Sequence, residues 1–181
     1  ARPGDDIWVS GCVGGAWAAL MHRWGKLTLD ARVFPAAALA MDRPNPRNAL
    51  GTALLSSATA CADISDGLAQ DLGHILERSG VDADVLWDAV PKHPALAALS
   101  QEQQVEAAMS GGDDYELVFT APADKRGLIE QASISALTPV TRIGRIVEKK
   151  PSGAPLAIRD ASGRPLFLPV QGFDHFAQSA D

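Results

Sequence analysis

Short apolar runs closed off by turn residues alternate with helix-like stretches along this 181-residue chain. A chain patterned this way has few options. Each strand and each helix has an apolar side to bury, and one sheet with helices packed on it buries them all. Residues 7–10 and 61–64 read as short buried strands, and residues 16–24 as a helix. From Asp66 onward a helix is well marked. Leu68, Leu72, Ile75 and Leu76 recur at i, i+4, i+7 and i+8, and Gly80 stands where a C-cap belongs. Residues 83–87, 115–120 and 140–147 read as strands, the last carrying Gly144 as a candidate bulge. Residues 102–109 and 124–133 read as helices, with Asp124 placed to cap the second. Asn45 and Pro46 look like the N-cap and first residue of a helix whose apolar face is Ala49, Leu50, Ala53 and Leu54. Near the end, residues 156–159 and 165–168 flank Asp160-Ala161-Ser162-Gly163, a hairpin signature that argues against an all-parallel sheet. The expected fold is therefore α+β: a mixed sheet flanked by helices in an α/β/α layered arrangement.

The length suits one ordinary domain, large enough to bury a core without disulfides. Acids outnumber bases 22 to 16, a net charge of −6. Such a chain is a poor nucleic-acid binder, because phosphate contacts need clustered Lys and Arg. No apolar run approaches the ~20 residues that cross a bilayer, so no membrane span is expected. Cys12 and Cys61 have no metal-ligand spacing, and no signal peptide is visible at the start. Both features suit a reducing cytoplasm, with the two thiols inert. His22, His74, His93 and His175 form no ligand pair or catalytic triad by spacing, and Trp8, Trp17, Trp24 and Trp87 read as core. The chain begins at Ala1 rather than Met, which fits a processed N-terminus or a cut at a domain boundary.

Three strings could carry chemistry. Asp63-Ile64-Ser65-Asp66-Gly67-Leu68 lies where a strand ends and a helix begins, the place where α/β proteins commonly put ligands. Two carboxylates and a hydroxyl at one strand end suit a hard cation such as Mg²⁺. The plainer alternative is that Ser65 or Asp66 caps the helix and Asp63 is a satisfied strand end. Gly111-Gly112-Asp113-Asp114-Tyr115-Glu116 is a tight turn presenting acids, either to a ligand or simply to solvent. Gly11-Cys12-Val13-Gly14-Gly15 joins a strand to a helix as a phosphate loop would, but it matches neither the dinucleotide fingerprint nor the P-loop and reads as a plain connection.

Taken in order, these strings resemble one family. Pro3-Gly4-Asp5-Asp6-Ile7-Trp8-Val9-Ser10-Gly11, Arg43-Pro44-Asn45-Pro46-Arg47, the Asp63–Leu68 string with Asp71-Leu72, Ser110-Gly111-Gly112-Asp113-Asp114-Tyr115-Glu116-Leu117 and Gly172-Phe173-Asp174-His175-Phe176 are similar to the C-terminal half of the thiamine-monophosphate kinases. These belong to the aminoimidazole-ribonucleotide-synthetase-like superfamily. The resemblance covers nearly the whole chain. It implies a phosphotransferase that moves the γ-phosphoryl group of ATP to thiamine monophosphate, giving thiamine diphosphate, with Mg²⁺ as cofactor. It assigns Asp63 and Asp66 to the metal, Ser65 to ATP, and Asp113 and Phe173 to the substrate. It makes residues 1–181 the C-terminal domain of a two-domain enzyme. The N-terminal ATP-binding domain would be missing from this chain, the full-length protein a homodimer, and the isolated chain inactive. One departure stands out: Gly15 and Ala16 follow Gly14 where the family loop commonly has an acid and a Ser or Ala. The alternatives are another superfamily member, of the ATP-dependent synthetase or hydrogenase-maturation type, and a non-catalytic ligand-binding or interaction module.

Overall fold

The computed structural model describes residues 1–166. A six-stranded sheet runs through the middle, built from β1 (Asp6–Ser10), β2 (Ala60–Asp63), β3 (Asp82–Leu86), β4 (Leu117–Ala121), β5 (Val140–Val147) and β6 (Leu156–Arg159), in the spatial order β2-β4-β1-β5-β3-β6. Each contact is antiparallel except β3 with β6. The sheet is mixed, as the sequence predicts, but for a different reason. The strand that opens the terminal hairpin is the one that runs parallel to its neighbour, and the antiparallel character comes from the interior strands. The hairpin turn itself forms, with Asp160 N–H donating to the Arg164 carbonyl at 3.0 Å and Leu166 N–H to the Ile158 carbonyl at 2.9 Å. The rest of its second strand, like Phe173, lies outside the described residues.

β1 is the centre of the molecule, buried at all five positions. Its side chains alternate between faces, as the pleat demands. Ile7 and Val9 enter a large core with Val118 of β4, beneath α1 (Gly15–Arg23), α2 (Phe34–Asp42) and α4 (Leu68–Ser79). Trp8 points the other way and stacks on Phe119, their ring centroids 6.3 Å apart, under α3 (Asn48–Leu54) and α6 (Arg126–Ser135). Two cores on opposite faces of one sheet make the expected α/β/α layers. In α4 the predicted stripe of Leu68, Leu72, Ile75 and Leu76 is buried, and Gly80 ends the helix in the left-handed conformation. A register shift in the β1–β5 ladder falls opposite residues 142–144, where the sequence marks a bulge.

Several local expectations give way to tertiary structure. α2, opened by Pro35 in its first turn, has no counterpart in the sequence reading. α3 begins at Asn48 rather than Pro46 and has no side-chain cap; Arg47, at its N-cap position, sends its guanidinium to Glu116 instead. Asp124 sits in a 3₁₀ turn, and α6 starts at Arg126. The helix read over 102–109 splits into α5 (Gln101–Val105), opened by a Ser100–Gln103 capping box, and a π-helical turn at Glu106–Ser110. Trp24 is 57% exposed and Trp17 half-buried, so only Trp8 and Trp87 are core tryptophans. Among the described residues no helix is long and apolar enough to cross a membrane.

Candidate functional site

The two acidic strings, some fifty residues apart in sequence, are joined backbone to backbone. Ile64 N–H donates to the Glu116 carbonyl at 2.7 Å, Tyr115 N–H to the Ile64 carbonyl at 2.9 Å, and Asp113 N–H to the Ser65 carbonyl at 2.9 Å. The pairing extends the β2–β4 ladder past the end of β2 into the loop that carries Ser65 and Asp66. It requires glycine on both sides. A Cβ on Gly112 would lie 2.3 Å from the Ser65 carbonyl oxygen, and Gly67 holds a φ of +115° against the backbone of residues 109–110. Asp63, Ser65, Asp66, Asp113 and Tyr115 are thereby brought to one edge of the sheet.

Three carboxylates hold this edge in place, and none of them is among the residues assigned from sequence. Asp71, in the first turn of α4, accepts the Ser65 and Asp66 N–H groups at 3.0 Å each. It ties the loop to the helix, while α4 itself has no side-chain cap from Ser65 or Asp66, and Asp66 Oδ2 accepts from Gln70 Nε2 at 3.3 Å. Burial, reinforced by the charges of Asp66 and Asp63, raises the Asp71 pKa against its two amide hydrogen bonds. Asp114 accepts the Gly14 N–H at 2.8 and 3.0 Å, so the amide that a phosphate loop would offer to a ligand is already engaged. The plain connection expected of residues 11–15 is what the structure contains. Glu116, almost fully buried, accepts from Ser10 Oγ at 2.5 Å and from Arg47 Nε at 2.8 Å. Burial, with the Glu116 and Asp114 charges nearby, pushes the Cys12 thiol up to about 11, which makes it the inert thiol expected. These anchors hold a strained turn. Asp113 and Tyr115 adopt φ values of 65° and 50°, a region non-glycine residues rarely enter. No local sequence signal separates Asp114 and Glu116 from the solvated acids of an ordinary turn, because their partners are about a hundred residues away.

The edge opens into a cleft of about 880 Å³, within the size range of small-molecule sites. Ser65, Asp66, Asp113 and Tyr115 form one wall, and Trp17, Leu20, Met21 and Trp24 of α1 and its C-terminal turn form the other. The Tyr115 hydroxyl donates to Asp113 Oδ1 at 3.2 Å, and the Asp113 charge raises its pKa. A second hollow, of about 600 Å³, lies on the sheet face by Arg126, Arg142 and Arg159, away from these strings. Arg126 and Arg142 there are ion-paired to buried Asp6.

The donor set fits one kind of metal. Among the described residues, no group of three or more His, Cys, Asp or Glu side chains is gathered into a cage. Asp63 and Asp66 at one strand end suit Mg²⁺, which keeps several waters and is typically held by one or two carboxylates plus substrate phosphates.

Similarity to known proteins points to one family. Residues 2–155 match the family described as AIR synthase related protein, C-terminal domain. The chain is 39% identical over 182 aligned positions to the thiamine-monophosphate kinase of Haemophilus influenzae, covering 99% of this chain and 55% of that protein. It superposes on the crystal structure of thiamine-monophosphate kinase from Stenotrophomonas maltophilia with a TM-score of 0.79 and 41% identity, over 87% of this chain and 51% of that one. It also superposes on AaThiL complexed with AMPPCP and TMP, with a TM-score of 0.75 and 27% identity, over 97% of this chain and 52% of that one. The chain spans about half the length of the relatives it matches. With its mixed sheet, its two helical layers and its paired acidic strings, the chain belongs to the AIR synthase related protein, C-terminal domain family.

Proposed function

We propose that this chain is the C-terminal domain of a two-domain thiamine-monophosphate kinase, contributing one wall of a site that transfers the γ-phosphoryl group of ATP to thiamine monophosphate. The observation that carries this reading is the backbone pairing of residues 64–65 with 113–116, which gathers Ser65, Asp66, Asp113 and Tyr115 at one cleft. The similarity to kinases, one of them described as complexed with AMPPCP and TMP, supports the choice of reaction.

In this reading Asp63 and Asp66 hold Mg²⁺, Ser65 touches ATP, and Asp113 and Phe173 hold the substrate. Bound Mg²⁺ would neutralise phosphate charge and orient the reacting groups. The protein's own part is positioning. The carboxylates of this acidic chain would repel phosphates unless a cation stood between them. Asp113, which already accepts a hydrogen bond from Tyr115, can accept one from the substrate's aminopyrimidine. The other half of the site comes from an N-terminal domain, and the whole protein is a homodimer.

The test is Asp66→Asn in the longer protein from the same reading frame, assayed for thiamine diphosphate formation with ATP and Mg²⁺. Loss of a metal carboxylate should lower kcat by about 10²-fold or more, the scale seen when one electrostatic stabiliser of a transition state is removed. Unchanged turnover would refute the metal role.

A further inference from the structure

The wall of the cleft opposite the acidic residues has no part in the assignments above, and its composition is specific. Trp24 exposes 57% of its surface, and Trp17 lies seven residues earlier, two turns back on the same face of α1. Trp17 is not loosely placed: it abuts the Gly111 backbone so tightly that a Cβ there would lie 2.8 Å from Trp17 Cβ. The aromatic wall and the acidic turn are therefore one mechanical unit. Trp24 already behaves as a receptor for a cation, since the Lys26 ammonium sits over its ring, 4.9 Å from the centroid. Around the cleft, three acids (Asp66, Glu106 and Asp113) stand against one base, Lys26.

An apolar aromatic wall facing excess negative charge is complementary to a flat ring that carries positive charge. A neutral purine would gain the stacking but not the charge, and a bare phosphate would be repelled. We propose that the Trp17–Trp24 wall receives the cationic thiazolium end of the substrate, making these two tryptophans its specificity-determining residues. The inference rests on the kinase reading, in which thiamine monophosphate is the phosphoryl acceptor. The ring cation lies between the tryptophans and the carboxylates of Asp113 and Glu106, and the phosphate points toward Asp63 and Asp66. Lys26 gives up its place over Trp24 when the ligand arrives.

The test uses the longer protein from the same reading frame, with Trp24→Ala, Trp24→Phe and Trp17→Ala compared in steady state. Trp24→Ala should raise KM for thiamine monophosphate about tenfold, a loss of about 1.4 kcal/mol of cation–π and stacking contact. Its kcat and its KM for ATP should stay put. Trp24→Phe, which keeps a ring, should lose less than about threefold, and Trp17→Ala should behave like Trp24→Ala. Binding of thiochrome monophosphate, a neutral fused-ring analogue that can stack but carries no charge, should be about tenfold weaker than that of thiamine monophosphate in the wild type and should lose less on Trp24→Ala than thiamine monophosphate does. If turnover is normal and the tryptophan variants keep their KM, or shift KM for ATP instead, the inference falls and the kinase reading stands. If the wild-type protein neither binds nor phosphorylates thiamine monophosphate, the kinase reading falls and takes the inference with it.

Discussion

The Asp114 carboxyl sits at the start of α1, where two N–H groups favour its charged form and burial disfavours it. Burial dominates, and its pKa rises from the usual 3.8 to about 7. The folded state therefore holds this proton more tightly than the unfolded chain does. The stability linked to the group is fully present below about pH 4, falls as the pH rises toward about 7, and is level beyond. Asp114→Asn keeps the acceptor oxygen for Gly14 N–H but cannot ionise. In urea unfolding followed from about pH 4.5 to 8, the variant should match wild type at the acid end and become the more stable of the two near neutrality. Parallel curves would show that burial does not control this carboxyl. Asp6 acts in the opposite sense. Its hydrogen bonds to Arg126 and Arg142 hold its pKa below the usual value, so its contribution is lost as the pH falls toward the acid range.

Among the elements, the junction between β2 and α4 depends on a close approach, whereas the body of α4 does not. At Gly112 a methyl group would collide with the Ser65 carbonyl and part the two acidic strings. At Gly73, within α4, a Cβ would meet nothing within 4 Å. Gly112→Ala should therefore destabilise by about 1–3 kcal/mol, as forced backbone shifts do. Gly73→Ala should stabilise by about 1 kcal/mol through helix propensity alone. Thermal unfolding of the two variants checks the contrast, and equal shifts would mean that the 64–65 to 113–116 pairing is not held as tightly as described. The capping pattern follows the same logic. Neither α3 nor α4 has a side-chain cap: Arg47, at the N-cap position of α3, reaches across to Glu116, and Asp71, in the first turn of α4, accepts from the Ser65 and Asp66 amides of the preceding loop. The Arg47–Glu116 ion pair is largely removed from water, so its geometry outweighs a local cap worth about 1 kcal/mol.

For the whole molecule, the proposed two-domain reading places half of the site on another domain. The carboxylates of one cleft wall can help hold a metal and orient a substrate, but the donor's phosphates need a second wall. The 181-residue chain on its own should accordingly form no measurable thiamine diphosphate from thiamine monophosphate and ATP, and mixing it with the separately made N-terminal half should restore turnover. Rapid product formation by the chain alone, followed by chromatography, would overturn the two-domain reading.

The sequence by itself determined the features governed by neighbours a few residues apart. The α4 stripe from Leu68 to Leu76, the Gly80 cap, the short apolar strands and the glycine-flanked acids all follow from periodicity and local backbone freedom. Their order along the chain was also enough to resemble a family. Tertiary structure alone decided which strands are neighbours, that β3 runs parallel beside β6, and that Trp24 faces a cleft instead of the core. It also separated anchors from ligand-facing acids. Asp113 faces the cleft while Asp114 and Glu116 turn inward, because Gly14, Ser10 and Arg47 reach them from 69 to 106 residues away. A carboxylate's role is set by what it is folded against, and contacts at that separation leave no local pattern in the chain.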